Sequence, residues 1–149
     1  MKIAALIIAS LLVLFAVSLV VQNMKNPTHL GHKDGKLADM PSKPNAVSSQ
    51  TEQADKKVAA LPFKGTAQET LMAVEKVLAE MANNEVQVNE SNYIYTIFTT
   101  PTMHYHDDVE VLLDESTQLV HFRSQSRAGY SDMGLNHKRY QKFSKMYSL

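Results

Sequence analysis

The pattern of hydrophobic and polar positions divides the chain into three segments, of which the first is a long apolar one. An unbroken run of apolar or small residues extends from Ile3 to Val21, and it contains no charged residue. A helix of these 19 residues spans most of a hydrocarbon core about 30 Å thick. The pattern therefore predicts a transmembrane anchor over residues 1–22, with residues 3–21 in contact with the lipid bilayer.

A cleaved secretory signal peptide is the alternative interpretation of this segment. Lys2 supplies a minimal basic region before the run, and Ala16-Val17-Ser18 loosely resembles a small-residue cleavage site. The apolar region of a signal peptide usually has about 7–15 residues, so this run is longer than usual. A buried helix of a soluble domain is a third interpretation. We favour the uncleaved anchor because of the length of the run.

The second segment, residues 23–60, shows no sustained hydrophobic period of either a strand or a helix. It includes three prolines, two glycines and many polar residues. This composition predicts a flexible linker that holds the following domain away from the membrane. Within the linker, both a free coil and a loop docked on the domain are open for the stretch PNAVSSQ at residues 44–50.

A folded domain is predicted over residues 61–149, where regular hydrophobic periods appear. Thr66-x-x-Glu69 is a capping box, in which the hydroxyl accepts a hydrogen bond from one free N–H of the first helical turn and the carboxylate accepts another. We therefore expect a helix to begin here and to end near Asn83. Its apolar positions, spaced by three and four residues, are Leu71, Val74, Leu78 and Met81.

Three stretches after this helix have the β-branched and aromatic content of strands. Residues 86–99 are apolar on both sides in their second half, as in a central strand. Residues 108–113 and 118–124 alternate around a polar turn, as in an antiparallel hairpin. A second helix is expected from about Asn136, with an apolar stripe of Tyr140, Phe143 and Tyr147. The predicted fold class is α+β: an N-terminal transmembrane helix, then a small domain with an antiparallel β-meander packed by two helices.

The hairpin can be assigned a register because one of its faces must be apolar. The residues expected on that buried face are Val109, Val111, Val120 and Phe122. On the opposite face, Asp108 then lies across from Arg123 and Glu110 across from His121, or the pairs slip by two residues. Opposite charges across a strand pair stabilise it. We expect this polar face to be turned to solvent.

Charge and cysteine content exclude several classes of function. The chain has 15 basic and 15 acidic residues, so no excess of positive charge indicates binding to nucleic acid. It has no cysteine, which excludes disulfides, zinc held by thiolates and a cysteine nucleophile. We expect no cofactor.

Two orientations in the membrane are open. Lys25, Lys33 and Lys36 follow the apolar run and, by the positive-inside rule, favour a cytoplasmic domain. The very short N-terminal tail instead has the form of a signal anchor, which exports the chain that follows it. We favour export, in a single-pass protein of the bacterial inner membrane whose domain lies in the cell envelope.

Candidate chemistry is concentrated in RSQSRAGYSDMGLNHKR, residues 123–139, a stretch too irregular for one helix or one strand. One interpretation is a buried structural latch, with Arg127 or Arg139 paired to Asp132 and Asn136 closing the turn. The other is a pocket for an anionic small molecule or an acidic group of a partner, because a guanidinium group suits carboxylates and phosphates. The candidate ligand-binding residues are Arg123, Ser124, Ser126, Arg127, Asp132, Asn136 and Arg139.

The same stretch carries a resemblance to a known family. RSxSRxGYSDxGxNxxR, with DDVEV at residues 107–111 and PNxVSSQ at residues 44–50, closely resembles the bacterial and plastid domain of unknown function numbered fourteen ninety-nine. The resemblance covers about Pro44 to Lys142 and implies that these three segments form one shared surface or core. It implies no activity. The family usually has a cysteine where this chain has Ala46, so thiol chemistry does not carry over.

A metal site is weakly indicated by three residues with a spacing of two. His104, His106 and Asp108 share a face if the strand extends that far, and two imidazoles with a carboxylate are a known ligand set. Solvated strand faces often carry the same residue types. We therefore predict no metal and keep these three as weak candidates.

Nucleophilic catalysis has little support in the sequence. No GxSxG elbow, P-loop or GxGxxG motif is present. A hydrolase would need a nucleophile such as Ser126 or Ser131, assisted by His121 or His137, with Asp132 as the orienting group. The leading hypothesis is a non-enzymatic, membrane-anchored envelope module for binding or assembly, with a small envelope hydrolase using the same polar pocket as the alternative.

Overall fold

A computed structural model describes residues 2–149 of the chain and contains three α-helices. The first, α1, is Lys2–Met24, the second, α2, is Ala67–Glu80, and the third, α3, is Leu135–Tyr147. The capping box predicted for α2 is confirmed, because the Thr66 hydroxyl accepts a hydrogen bond from Glu69 N at 3.2 Å and the Glu69 carboxylate accepts one from Thr66 N at 2.8 Å. The expected α+β class with two packing helices is confirmed.

Eight strands lie between α1 and α3 along the chain, four before α2 and four after it. They are β1 His32–Lys33, β2 Lys36–Leu37, β3 Ala46–Ser48, β4 Leu61–Pro62, β5 Asn84–Asn89, β6 Tyr93–Thr99, β7 His106–Asp114 and β8 Leu119–Ser126. β1 and β2 form a small hairpin of their own. The main sheet is antiparallel in the order β3-β8-β7-β6-β5, and β4 also pairs with β8. The predicted meander is thus extended by two strands from the segment that precedes α2.

The hairpin of β7 and β8 adopts the slipped one of the two predicted registers. Glu110 lies opposite Arg123, and Asp108 lies opposite Gln125. Opposite charges still meet at the first of these positions. The four residues expected on the apolar face are at most 1% exposed: Val109, Val111, Val120 and Phe122.

One face of the sheet is covered by α2 and α3 and holds the main core. Phe143 of α3 is fully buried, and its ring centroid lies 5.1 Å from that of Phe122. Hydroxyls at the edge of α3 tie it to the chain before α2, because Tyr140 donates to Ala59 O at 2.8 Å and Tyr147 donates to Pro62 O at 2.9 Å. The predicted apolar stripe of this helix is therefore correct.

The opposite face of the sheet is buried as well, so the prediction that it faces solvent is wrong. Asp108 is 2% exposed, and Glu110 and Arg123 are fully buried. Residues 25–43 lie across this face, where Gly31 N donates to Glu110 Oε1 at 2.8 Å and Leu37 packs with Tyr93. Strand periodicity shows which side chains share a face, but it does not show what a distant segment later covers.

The segment expected to be a flexible linker, residues 23–60, is packed on the domain in the structure. Residues 44–50 contribute β3, whose Val47 pairs with Ser124 of β8. Gln50 fastens the β1–β2 hairpin, since its side-chain oxygen accepts from Leu37 N at 2.9 Å and its amide donates to Gly35 O at 2.8 Å. Backbone groups in this segment thus have partners in the domain, which an unattached linker would lack.

The N-terminal helix α1 is long and apolar enough to cross a membrane, and its apolar side chains are exposed to the surroundings. Its last turn contacts the domain directly. Asn23 Nδ2 donates to His104 O at 2.8 Å, and Asn23 Oδ1 accepts from His106 N at 2.7 Å. The domain therefore lies at the end of the helix, and the expected spacer between the two is not seen.

Candidate functional site

The seven candidate residues do not form one pocket, because β8 directs them to opposite faces of the sheet. Arg123 points to the face covered by residues 25–43, whereas Ser124 and Ser126 point to the face covered by α3. Successive strand residues alternate between faces, so this separation follows from the backbone geometry. Arg127 continues on the side of Arg123, while Asn136 and Arg139 contact the serines from α3.

Beneath α3 lies a network that we call the inner polar network: Asn45, Asp107, Ser124, Ser126, Asn136 and Arg139. Arg139 makes an ion pair of 2.5 Å with Asp107, and its other guanidinium nitrogen donates to Asn136 Oδ1 at 2.6 Å. The Asn136 amide then donates to Asn45 O at 2.9 Å and to Ser126 Oγ at 3.0 Å. The three segments named by the family resemblance therefore meet in one core.

The opposite face carries two parallel rows, each made of a tyrosine, an acid and an arginine, which we call the outer ladder. In the first row, Tyr93 donates to Glu110 at 2.7 Å, and Arg123 donates to the same carboxylate at 2.9 Å. Burial, followed by the charge of Glu110, raises the pKa of Tyr93. The tyrosine therefore stays a neutral donor, and the carboxylate is balanced by one arginine.

The second row repeats this arrangement beside the end of α1. Arg127 donates two hydrogen bonds to the Asp108 carboxylate, from Nη2 to Oδ1 at 2.7 Å and from Nε to Oδ2 at 2.9 Å. Tyr95 donates to Asp108 Oδ1 at 2.6 Å, and burial together with this hydrogen bond raises the pKa of Tyr95. Arg127 Nη1 still reaches outward, to Asn26 Oδ1 at 3.3 Å. Asp108 is thus fully engaged, and the side chain of Arg127, which is only 4% exposed, is held between Asp108 and the segment after α1.

Asp132 has a local role that differs from both of its expected roles. Its carboxylate accepts from Gly134 N at 3.0 Å and from Asn136 N at 2.7 Å, so it satisfies free N–H groups at the start of α3. The latch hypothesis paired it with Arg127 or Arg139. Those arginines pair instead with Asp108 and Asp107, because β7 presents two acids to opposite faces of the sheet.

An open cavity of about 240 Å³ lies between the last turn of α1 and the outer ladder, and we call it the juxtamembrane pocket. Its lining residues are Gln22, Lys25, Asn26, Pro27, Thr28, His29, Asp108, Gln125 and Arg127. Of the seven candidate residues, Arg127 alone lines it. Sequence reasoning missed Lys25, Asn26 and His29, which it assigned to the linker, and the run of polar residues directly after an apolar helix was the available signal.

The weak metal candidates are not gathered into a site. His104 lies in the turn before β7 with a φ of 52°, whereas His106 begins the strand. Asp108 already accepts hydrogen bonds from Tyr95 and Arg127. Within residues 2–149, no group of three or more His, Asp or Glu side chains is arranged to hold a metal ion.

A serine and a histidine do meet in the structure, but at a place that sequence reasoning missed. Ser49 Oγ lies 3.2 Å from His121 Nδ1 and accepts from Phe122 N at 3.0 Å, and Asp114 lies 3.9 Å from the other ring nitrogen. Burial lowers the pKa of His121, and the charge of Asp114 opposes this. Neither Ser49 nor His121 lines the juxtamembrane pocket or any of four further surface cavities within residues 2–149. The contact therefore fastens the chain after β3 to β8.

The serine–histidine pairs expected for a hydrolase are not assembled. Ser126 Oγ accepts from the Asn136 amide at 3.0 Å, and Ser131 Oγ accepts from Met133 N at 3.2 Å. His137 is exposed on α3, where it lines a cavity of about 130 Å³ together with Asp132. In the described part of the chain, neither serine makes a hydrogen bond with a histidine.

Comparison with known protein families gives a match over most of the domain. A family model described as a protein of unknown function (DUF1499) matches residues 36–146. No curated protein matches the chain. The matched range extends from β2 almost to the end of α3, so it includes both the inner polar network and the outer ladder.

Proposed function

Because the chain belongs to the DUF1499 family of proteins of unknown function, we propose a function from its own geometry. We propose a single-pass, non-enzymatic binding module of the bacterial cell envelope, anchored by α1 in the inner membrane with its domain on the exported side. Its juxtamembrane pocket takes the anionic group of a small molecule, a lipid or a partner. Lys25 supplies the positive charge that attracts this group, and Arg127 lines the pocket beside it.

The observation that carries this proposal is the position and charge of the juxtamembrane pocket. Asp108 neutralises Arg127, whereas Lys25 is exposed and makes no ion pair within residues 2–149. The C-terminal end of α1 brings the negative end of its helix dipole here, and Lys25 more than offsets that partial charge. At the rim, Gln125 adds a neutral side-chain amide, whereas the amide of Gln22 donates to Ser18 Oγ at 3.0 Å. An anion is therefore the favoured occupant.

A binding role is better supported than a catalytic one by the state of the acids and arginines. The three buried arginines each have a carboxylate partner at 2.5–2.9 Å. Asp108, the acid that lines the pocket, is held by Arg127 and Tyr95, which leaves it a poor general base. A hydrolase would need a base beside a nucleophile there, and His29, which also lines the pocket, makes no hydrogen bond with a serine or threonine within residues 2–149.

The test uses the full chain in uncharged detergent micelles, with thermal melting followed as inorganic phosphate or acetate is added. We expect phosphate to raise the melting temperature of the wild type, since a ligand that binds only the folded state stabilises it by about 2.7 kcal/mol at a hundredfold excess over Kd. Lys25→Gln should abolish this rise without lowering the melting temperature in buffer alone.

The matched control is Lys142→Gln, which removes a charge from an exposed position on α3. It should keep the full response to phosphate. An equal response of both variants would place the anion elsewhere, and no response of the wild type to either anion would overturn the proposal. A response to acetate alone would assign the pocket to carboxylates.

A further inference from the structure

The last turn of α1 determines which end of the domain faces the bilayer. Asn23 lies two residues beyond the apolar run, about 3 Å further along the helix axis. It makes hydrogen bonds with the backbone of His104 and His106, at 2.8 and 2.7 Å. The headgroup region on each side of the hydrocarbon core is about 5–8 Å deep. If α1 spans the membrane, the loop of residues 100–105 lies at headgroup depth.

A second loop lies at the same end of the sheet. β7 begins and β8 ends at this end of the sheet, because the two strands are antiparallel. The loop of residues 127–134, which follows β8, is joined to the first loop where Arg127 N donates to His106 O at 3.0 Å. It is also joined to the segment after α1 by Arg127 and Asn26, at 3.3 Å. The end of the first loop and the beginning of the second therefore lie beside the end of the helix, and both loops lie at the same end of the sheet.

These two loops carry apolar side chains that the domain leaves uncovered. Seven large hydrophobic side chains are exposed in residues 25–149, and four of them lie in the two loops or at the first residue after them. They are Met103 at 62%, Tyr130 at 72%, Met133 at 91% and Leu135 at 36% exposure. Exposed apolar side chains gathered at one place indicate an interaction surface. Tyrosine with apolar neighbours is typical of the membrane interface.

We propose that the loops of residues 100–105 and 127–134 insert into the headgroup region of the bilayer that α1 spans. This rests on the membrane anchor of the proposed function. The occupant is lipid because the end of α1 brings both loops to the bilayer surface. Lys25 and Lys43, whose Nζ donates to Gly129 O at 3.3 Å, lie among these loops and favour contact with anionic headgroups. The shallow contact gives the domain a second attachment and a defined orientation.

The test uses the absence of cysteine in the chain. Full-length variants with a single cysteine, Met103→Cys and Met133→Cys, are labelled with the fluorophore NBD and placed in lipid nanodiscs. Phospholipid with a spin label near the headgroup then quenches fluorophores that lie at that depth. The control is Glu115→Cys, in the exposed turn at the other end of β7, about 30 Å away. Leu12→Cys, in the middle of α1, reports on the anchor with a deeper spin label.

We expect a loss of fluorescence at residues 103 and 133 with the shallow label, and none at residue 115. Loop positions quenched no more than residue 115, together with quenching at residue 12, would overturn the inference while leaving the anchor intact. No quenching at residue 12 would mean that the anchor itself fails, and the inference would fail with it. Exposed loop positions are used so that labelling does not disturb folding.

Discussion

Arg123 shows at the scale of one residue how this domain uses charge. Its side chain is fully buried between two strands and the segment that covers them, and its partner Glu110 is buried as well. A buried ion pair contributes little net stability compared with apolar residues, but breaking it leaves one charge without compensation. The pair therefore specifies which surfaces meet, and the domain depends on both members being present.

The first prediction concerns this pair. Arg123→Met should lower the free energy of unfolding by about 3–5 kcal/mol, because Glu110 would stay buried without a cation. Urea unfolding of the full chain in micelles measures this value. The double variant Arg123→Met/Glu110→Gln is the control and should recover part of the loss. A loss below about 1 kcal/mol in the single variant would show that the carboxylate can be solvated or protonated at little cost.

The second prediction concerns His121 and pH. Burial lowers the pKa of His121 from its ordinary value of 6.5, so below that pH the unfolded chain binds a proton that the folded chain resists. The stabilisation from neutral His121 is therefore present above pH 6.5 and is lost as the pH falls toward the lowered pKa. The wild type should lose more stability between neutral pH and pH about 5.5 than His121→Asn does. Parallel curves of unfolding free energy against pH would contradict this.

At the scale of elements, short local signals set where helices begin, and long-range pairing sets where strands lie. Thr66 and Glu69 exchange hydrogen bonds at the start of α2, and those hydrogen bonds lower the pKa of Glu69. β3 has only three residues and no period of its own, yet all three are buried because β8 offers a free edge. The helix is thus determined locally, whereas the strand is determined by its partner.

The third prediction tests the local signal of α2. Thr66→Ala should lower the free energy of unfolding by about 1 kcal/mol, since an N–H in the first turn would lose its acceptor. Thr66→Ser keeps an oxygen at the cap and should stay within about 0.5 kcal/mol of the wild type. Thermal or urea unfolding distinguishes the two. An equal loss in both variants would point to the lost methyl group as the cause.

At the scale of the whole molecule, the C-terminal end of α1 is in direct contact with the domain. The segment after α1 turns back over the outer ladder at once, and the side chain of Asn23 bonds to the start of β7. If α1 spans a membrane, the domain is consequently placed beside it. Both the juxtamembrane pocket and the proposed lipid contact depend on this placement.

The fourth prediction tests the contact between α1 and the domain. Asn23→Ala removes both hydrogen bonds and should broaden the distribution of distances between spin labels at Ala9 and Glu115, measured by pulsed electron resonance. The melting temperature of the domain should change little, since this contact lies at the periphery. Asn26→Ala, which removes one weaker contact at 3.3 Å, should broaden the distribution less. An unchanged distribution in Asn23→Ala would show that other contacts hold the helix.

The sequence by itself determined the features that depend on neighbours along the chain. The apolar run of α1, the capping box at Thr66 and the alternation of β7 and β8 are local patterns, because helix and strand periods are properties of consecutive residues. The family resemblance and the α+β class were also available at this level. The motif of residues 123–139 was singled out for its many hydrogen-bonding groups, and the seven candidate residues in it all make hydrogen bonds in the structure.

Only the tertiary structure decided what those residues contact. Arg127 pairs with an acid 19 residues away, Asn136 bonds to a carbonyl 91 residues away, and a supposed linker covers the outer ladder. No periodic signal links such distant positions, because the chain must fold before they meet. The pocket at Lys25 likewise exists only where the end of α1 reaches the sheet. Strand alternation is enough to place Arg123 and Ser124 on opposite faces of the sheet, but only pairing across space decided which partners each of them contacts.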